Sequence, residues 1–455
     1  MPRNCAVLML FLLTLARATI AQQQNSQPSL PPTYPQLANL PQAPNPSTHS
    51  AEPIPLPPPV DRPVGLSLTD LEQMAMGNNP TLLQAGMQIE AARGRWVQAG
   101  LYPNPTLSYS GFEMGDEGKA GQQGALISQT IVRGGKLGLS QATTSKEILQ
   151  AQQEFEVQRL RVINDVRIAF YNVLVAQRTT ALSRQLVDIG SQGLLTTDRL
   201  FQAKEIGRAD LLQARVEANT AKIALGNAEN QRLGAWRRLT SVLGTPGLAP
   251  TPLIGDLERD LPRLVWEEAY CKLVASSPEV AAARANVERA QYALRRARVE
   301  PVPDLQLQAG PSYDFATRDA IANVQIGVTL PLHDNNRGNI RAAEANVSSA
   351  QAEVERVELS LQNRLATAFA AYENARQQVE KYSKEILPDA KASLDLVVAG
   401  YRNGEFNFLT LLTAQRTYFQ TNLAYVAALN SLWENSVAIE GMLLTDSLRT
   451  NANGR

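Results

Sequence analysis

The chain has 455 residues, enough for two or three ordinary domains, and balances 43 Lys and Arg against 43 Asp and Glu. That balance excludes a field strong enough to gather nucleic acid. Two cysteines and two histidines leave little for a disulfide framework or a soft-metal site, and no cofactor is called for.

Residues 1–21 read as a secretory signal peptide. Arg3 supplies the positive start, roughly eleven apolar residues follow, and Ala18 or Ala21 ends the segment with a small residue. That apolar run is too short to span a bilayer, and no later run approaches about 18 residues. Any membrane span must therefore be something other than a helix. Cys5 precedes the apolar run, so it is not a lipid-anchor cysteine, and Cys271 is expected to be a small buried or half-buried residue. Residues 22–65, rich in Pro, Gln, Ser and Asn and containing His49, bury too little apolar surface to order and form a linker.

From residue 66 onward the chain repeats itself. Asn79-Pro80 corresponds to Ser277-Pro278, and the pair Pro103/Pro105 to Pro301/Pro303, each 198 residues on. Tyr171 matches Tyr372 at 201, and FQAKEIGRADLLQA (201–214) matches YRNGEFNFLTLLTA (401–414) at 200. The first repeat is set at 66–250 and the second at 251–445, with a tail at 446–455. Each holds a short helix (68–78, 263–276), a second helix (80–100, 278–299), two strands, a very long helix, a tight turn and a shorter helix (209–243, 409–444).

The prolines remove N–H donors and force the preceding residues extended, so Pro103, Pro105, Pro301 and Pro303 mark a switch from helix to strand. Strands are predicted at about 105–113 and 124–132, and at about 304–313 and 322–332. They alternate: Leu107 and Tyr109 against Ser108 and Ser110, Leu305 and Leu307 against Gln306 and Gln308, Val324, Ile326, Val328 and Leu330 against Gln325, Gly327 and Thr329. Gln129 is an exception on an apolar side. Their length suits tilted membrane strands, although a half-buried hairpin on a soluble domain would show the same pattern. Four strands in lipid cannot close, and open edges there leave unpaired backbone groups. Eight strands leave an interior only wide enough to fill with side chains, so three copies giving twelve is the expectation.

The long helix of the first repeat, 136–203, would run about 100 Å, with Gly190 and Gly193 expected to bend or interrupt it, and Pro388 its counterpart. In the second repeat Ile340, Val347, Val354, Leu361 and Ala368 fall seven apart, with Ala343, Ala350 and Val357 at the companion position. That is a coiled-coil seam, broken by Arg364.

Over 66–445 the chain resembles the outer-membrane efflux protein family, the TolC-like channels. The resemblance rests on the duplicated order, AGLYPNPTL (99–107), TIVRGGKLGLSQA (130–142) and YRNGEFNFLTLLTAQ (401–415). NNP with AGLYPNPTL and GGK looks most like the branch that serves heavy-metal and small-molecule pumps. The resemblance implies a mainly helical fold with a small β part. It implies a homotrimer whose α-barrel continues a twelve-stranded transmembrane β-barrel, four strands per chain, in the outer membrane and reaching into the periplasm. Shorter helices would stack end to end against the long ones, 209–243 with 278–299. The implied function is a passive exit duct for an inner-membrane transporter, expected to be proton-driven, joined through a periplasmic adaptor. A polypeptide-secretion outlet and a non-channel periplasmic coiled-coil scaffold are the alternatives.

Carried across residue by residue, the family's adaptor-docking turns fall on Lys204, Glu205 and Ile206, and on Gly404, Glu405 and Phe406. Asp210, with Glu205 and Glu405, falls at the periplasmic aperture. Two departures stand out: Lys204 replaces the expected turn glycine, and Thr410 sits where a second acid would match Asp210. An acid at a helix start is equally explained by the helix dipole. No catalytic set is present: His333 stands beside Asp334 with no nucleophile or second histidine.

Overall fold

The computed structural model describes residues 65–115 and 120–449. The expected leader, His49, all but the last residue of the linker and the end of the tail lie outside the described residues. In chain order the elements are α1 (Leu68–Asn78), α2 (Pro80–Ala99), β1 (Thr106–Gly115), β2 (Ala120–Ile131), α3 (Lys136–Gln202) and α4 (Arg208–Val242). There follow α5 (Trp266–Ser276), α6 (Pro278–Val299), β3 (Leu305–Asp314), β4 (Asp319–Val328) and α7 (Arg337–Lys381). A π-helical turn (Tyr382–Ile386) then leads into α8 (Leu387–Arg402) and α9 (Phe408–Glu440). The protein is mainly helical with one small antiparallel sheet.

Local chemistry sets the boundaries. Ser67 and Asp70 form a reciprocal capping box that starts α1. Asn79 caps α2, its Oδ1 accepting from Thr81 N at 2.9 Å, with Pro80 at the first helical position. The strand β4 ends at Val328, short of Leu330, because Pro331 cannot donate to a ladder.

Helix α3 is continuous over 67 residues, about 100 Å. Gly190 and Gly193 do not interrupt it. A Cβ on Gly190 would lie 3.4 Å from Ala218 Cα, so the glycine lets α4 approach closely instead of breaking α3. At Pro388 the expectation and the structure meet: the helix widens into the π turn just before the proline, whose missing N–H and bulky ring cannot fit a regular turn.

The first part of α3 packs antiparallel between α2 and α6, and its far part packs against α4. Ion pairs mark the upper contacts, Arg95 with Glu147 at 3.2 Å and Lys146 with Glu288 at 2.6 Å. End-to-end stacking runs within each repeat, which corrects the pairing of 209–243 with 278–299. The carbonyl of Val242 at the end of α4 accepts from Asn79 Nδ2 at 2.7 Å, so α4 abuts α2. The chain just after α9 likewise reaches the junction of α5 and α6, where Ser276 Oγ, at the end of α5, lies 4.0 Å from Met442 Sδ. The stacked pairs hold 35 and 20 residues in one repeat, and 33 and 22 in the other.

The seam of α7 faces its neighbours, with Ala343, Ala350 and Leu361 buried. Beyond Leu361, Ala375 keeps the same heptad position, while the companion series shifts by one residue to Leu365, Tyr372 and Val379. Arg364 falls at that shift and pairs with Glu279 of α6, which accounts for its break in the heptad. The core lies midway along the rods, where Leu71, Val162, Val166, Leu239, Leu361, Leu429 and Tyr372 are fully buried. The Tyr372 hydroxyl donates to Pro262 O at 3.0 Å and accepts from Leu264 N at 2.9 Å, tying the loop before α5 to α7. Cys271 is exposed, because α5 turns only Leu273 fully inward.

One buried ion pair locks the rods to the sheet. Lys136, the first residue of α3, is 6 % exposed at its side chain and lies 3.0 Å from Asp304 Oδ1, just before β3. The same oxygen accepts from Arg133 N at 2.9 Å. Burial pushes the Asp304 carboxyl up, but the Arg133 N–H and the Lys136 ammonium outweigh it and hold the group below its ordinary 3.8. A depressed carboxyl stabilises the fold above its unfolded value and loses that contribution as pH falls through the folded one. The junction should therefore weaken below about pH 4. Asp304→Asn strands a buried ammonium and is expected to cost about 3 kcal/mol, the low end for breaking a buried pair, since Asp304 is 31 % exposed. Thermal unfolding of the purified protein checks this, and Asp304→Asn combined with Lys136→Met should recover most of the loss.

Candidate functional site: the open sheet and the tip turns

The sheet runs β1-β2-β3-β4, every pair antiparallel, so β1 and β4 each have one edge without a partner strand among the described residues. Its register sorts side chains by polarity. Leu107 lies opposite Ile127, Ile127 opposite Ala309 and Ala309 opposite Val324, giving an apolar row across all four strands. Thr106, Ser128, Gln308 and Gln325 form a polar row in the same way. The apolar row is open: Leu107 is 77 % and Val324 75 % exposed. A bulge interrupts β1 after Phe112, with Glu113 at φ 52°, and it brings Met114 back beside Tyr109, whose hydroxyl lies 3.9 Å from the Met114 sulfur.

The proline switches sit between rods and sheet. Helix α2 ends at Ala99, Pro103 and Pro105 occupy the extended link, and β1 begins at Thr106. Helix α6 ends at Val299, and Pro301 and Pro303 precede Leu305. Gln129 now has a reason to interrupt its apolar side. Its Nε2 donates to Pro103 O at 2.8 Å, pairing a carbonyl in a link where the prolines supply no donors. On the return path Gly134 and Gly135 have φ of 71° and 68°, and Asn336 before α7 has φ 57°, so both long helices start from a left-handed residue.

At the far end, residues 203–207 and 403–407 form two similar turns. In each, the backbone closes the preceding helix with paired bonds. Glu205 N donates to Leu200 O at 3.0 Å and Lys204 N to Phe201 O at 3.0 Å; Glu405 N donates to Gly400 O at 2.8 Å and Gly404 N to Tyr401 O at 3.2 Å. Gly404 has φ 76° and Lys204 φ 62°, so the lysine occupies the left-handed position that glycine fills in the second turn. The helix starts that follow are capped in opposite senses. Asp210 Oδ2 accepts from Gly207 N at 3.3 Å, whereas Asn407 Oδ1 accepts from Thr410 N at 2.9 Å. Thr410 needs no carboxylate because Asn407 has taken over the capping.

The two turns lie side by side. Burial, followed by the nearby Asp210 carboxylate, raises the Tyr401 hydroxyl above its ordinary value. Glu217 of α4 pairs with Arg416 of α9, a contact 199 residues apart that no local pattern announces. Lys204, Glu205, Gly404 and Glu405 are exposed, Ile206 is half-buried, and Phe406 covers Gly400. His333 is exposed.

A model of the family described as outer membrane efflux protein matches residues 71–245 and again residues 269–443, once per repeat. The chain belongs to that family. Among curated relatives, the cobalt-zinc-cadmium resistance protein CzcC of Cupriavidus metallidurans is 28% identical, over 83% of this chain and 90% of its own length. Outer membrane protein OprJ of Pseudomonas aeruginosa is 23% identical, over 80% of this chain and 81% of its own. Among solved structures, the transmembrane channel protein CusC superposes with TM-score 0.70 at 17% identity, over 89% of this chain and all of that one. The CmeC outer membrane channel of Campylobacter jejuni gives 0.68 at 17%, over 82% and 85%. This outer membrane efflux protein resides in the cell outer membrane and extends into the periplasm, and its family is one of channels, not enzymes.

The tips differ in packing. Among the described residues α4 buries Leu211, Ala214, Ala218 and Ala221 against α3, while α8 buries Gly400 alone. A cavity of about 430 Å³ lies between α8 and α9, lined by Ala390, Val397, Leu409 and Thr413 among others. Sparse burial lowers the cost of local opening. Hydrogen exchange should be faster in α8 and the first turns of α9 than in 180–202 and the first turns of α4. Lys204→Gly should raise thermal stability by about 1 kcal/mol, because glycine adopts the left-handed C′ position without a Cβ penalty.

Proposed function

We propose that three copies of this chain close a twelve-stranded barrel in the outer membrane, continued through the periplasm by the long helices as a passive exit duct. The observation that carries the reading is the four-stranded sheet with two unpartnered edges and one exposed apolar face. In lipid each unpaired edge group costs several kcal/mol, roughly, so β1 must meet β4 of another copy. The apolar row then faces lipid, and the polar row of Thr106, Ser128, Gln308 and Gln325 faces a water-filled lumen. Pro103, Pro105, Pro301 and Pro303 act as the seam between barrel and tunnel. Residues 1–21 direct export, and residues 22–65 tether the first repeat.

In this reading the far turns form the periplasmic tip. Lys204, Glu205, Ile206, Gly404, Glu405 and Phe406 offer exposed charge and an apolar contact to a periplasmic adaptor, which couples the duct to an inner-membrane, proton-driven transporter. Threefold repetition of Glu205, Asp210 and Glu405 makes an acidic ring at the aperture, suited to drawing in cations. The relative named for cobalt, zinc and cadmium resistance favours divalent metal ions as cargo. The purified protein should run as a detergent-stable trimer and give single-channel conductance in planar bilayers. A strain lacking the gene should grow less well in added zinc or cobalt. A soluble monomer without detergent would overturn the duct, and unchanged metal tolerance would overturn the cargo.

A further inference from the structure

The apolar face of the sheet has a height that can be counted. Its rows descend from Gln123, Tyr313 and Ala320, through the row of Leu107, Ile127, Ala309 and Val324, to Ile131, Leu305 and Val328, where β2 to β4 meet the links. The steps from Ala320 to Val328 cover about 27 Å along a strand. At a tilt of about 40° that is about 21 Å across the membrane, whereas the apolar band of such barrels stands about 25 Å tall. The strands alone fall short.

The band does not grow upward, where Arg318 and Asp319 place charge at the turn from β3 to β4. Downward, apolar exposure continues past the strands. Leu330 is 68 % and Leu332 73 % exposed after β4, and Leu101 and Tyr102 are exposed before β1. Carried one step beyond Ile131, Leu305 and Val328, the register sets Arg133, Pro303 and Leu330 in the next row. That row adds about 5 Å and brings the band to about 26 Å.

The links suit hydrocarbon for a second reason. Backbone donors left unpaired are what a lipid-exposed segment cannot carry, and Pro103, Pro105, Pro301, Pro303 and Pro331 have none to leave. Leu101 N donates to Gln98 O at 3.2 Å, and Pro103 O accepts from Gln129 Nε2. The ionised pair at this level is turned away: alternation from Leu305 places Asp304, with Lys136, on the polar face. Arg133, in the lowest row, is exposed.

We propose that the inner leaflet of the outer membrane reaches past the strands onto the proline links, with Tyr102 and Leu330 against acyl chains and Arg133 on a phospholipid phosphate. A guanidinium beside an aromatic ring at the edge of an apolar band matches the headgroup level. The inference rests on the duct reading and adds the depth at which the barrel sits.

Depth-dependent quenching tests it. Val324→Cys, Leu330→Cys, Tyr102→Cys, Arg133→Cys and Ala345→Cys, each in a chain carrying Cys5→Ser and Cys271→Ala, are labelled with bimane and reconstituted into phospholipid vesicles. The quenchers are aqueous iodide, a lipid spin-labelled on its acyl chain and one spin-labelled on its headgroup. Val324→Cys, Leu330→Cys and Tyr102→Cys should respond several-fold more to the chain label than to iodide. Arg133→Cys should respond most to the headgroup label, and Ala345→Cys, on α7, to iodide. If Val324→Cys responds to the chain label while either Leu330→Cys or Tyr102→Cys responds to iodide, the inference fails and the duct reading stands. If Val324→Cys itself responds to iodide, the duct reading fails as well. Arg133→Cys responding to iodide alone overturns the phosphate contact. Where Leu330→Cys or Tyr102→Cys does not fold, the other decides.

Discussion

A backbone N–H or C=O in hydrocarbon has no water to turn to, and that constraint is the one on which the proposed duct depends. Four strands satisfy one another in register and leave two edges over. The helices cannot cover those edges, because they leave the sheet at one end only, through the proline links and the Lys136–Asp304 lock. In the proposed duct the demand for a partner is met by another copy. Under that proposal, head-to-tail pairing of one edge with the other kind generates a ring, and the polarity of the two sheet faces fixes which side meets lipid.

The two repeats solve the same mechanical problems with different residues. Both long helices begin from a left-handed residue, once a glycine and once Asn336. Both tip turns need a left-handed position, once Gly404 and once Lys204. Both following helices are capped, once by the side chain of Asp210 reaching back and once by that of Asn407 reaching forward. Duplication conserved the geometry and let the chemistry drift, and the drift is what makes the two tips unequal. The first is closed by alanines and Gly190 against α4. The second keeps a void between α8 and α9.

Much of this was legible in the residues. Period-2 alternation after a proline pair and heptads in α7 announced strands and rods, because both patterns are local. The family resemblance was legible from short motifs, and the family model then matched each repeat, over 71–245 and 269–443. Contacts between distant positions were not legible. Lys136 with Asp304, Glu217 with Arg416 and Asn79 with Val242 depend on how antiparallel rods are aligned, which no single segment encodes. Glycines were overread as breaks, since a glycine that admits a neighbouring helix looks the same in sequence as one that ends its own. The placing of Asp210, Glu205 and Glu405 at an aperture came from analogy alone, and the structure shows Asp210 capping its own helix.

The stacking of α4 on α2, and of α9 on α6, has an architectural consequence. Each repeat carries one long rod and a matching two-piece rod of its own, along with one hairpin. It is a complete stave. A wall assembled from such staves needs no element borrowed from the neighbouring repeat, so the linker between repeats joins two finished parts. Fusing two such staves in one chain leaves each free to differ from the other, as the unequal packing of the two tips shows.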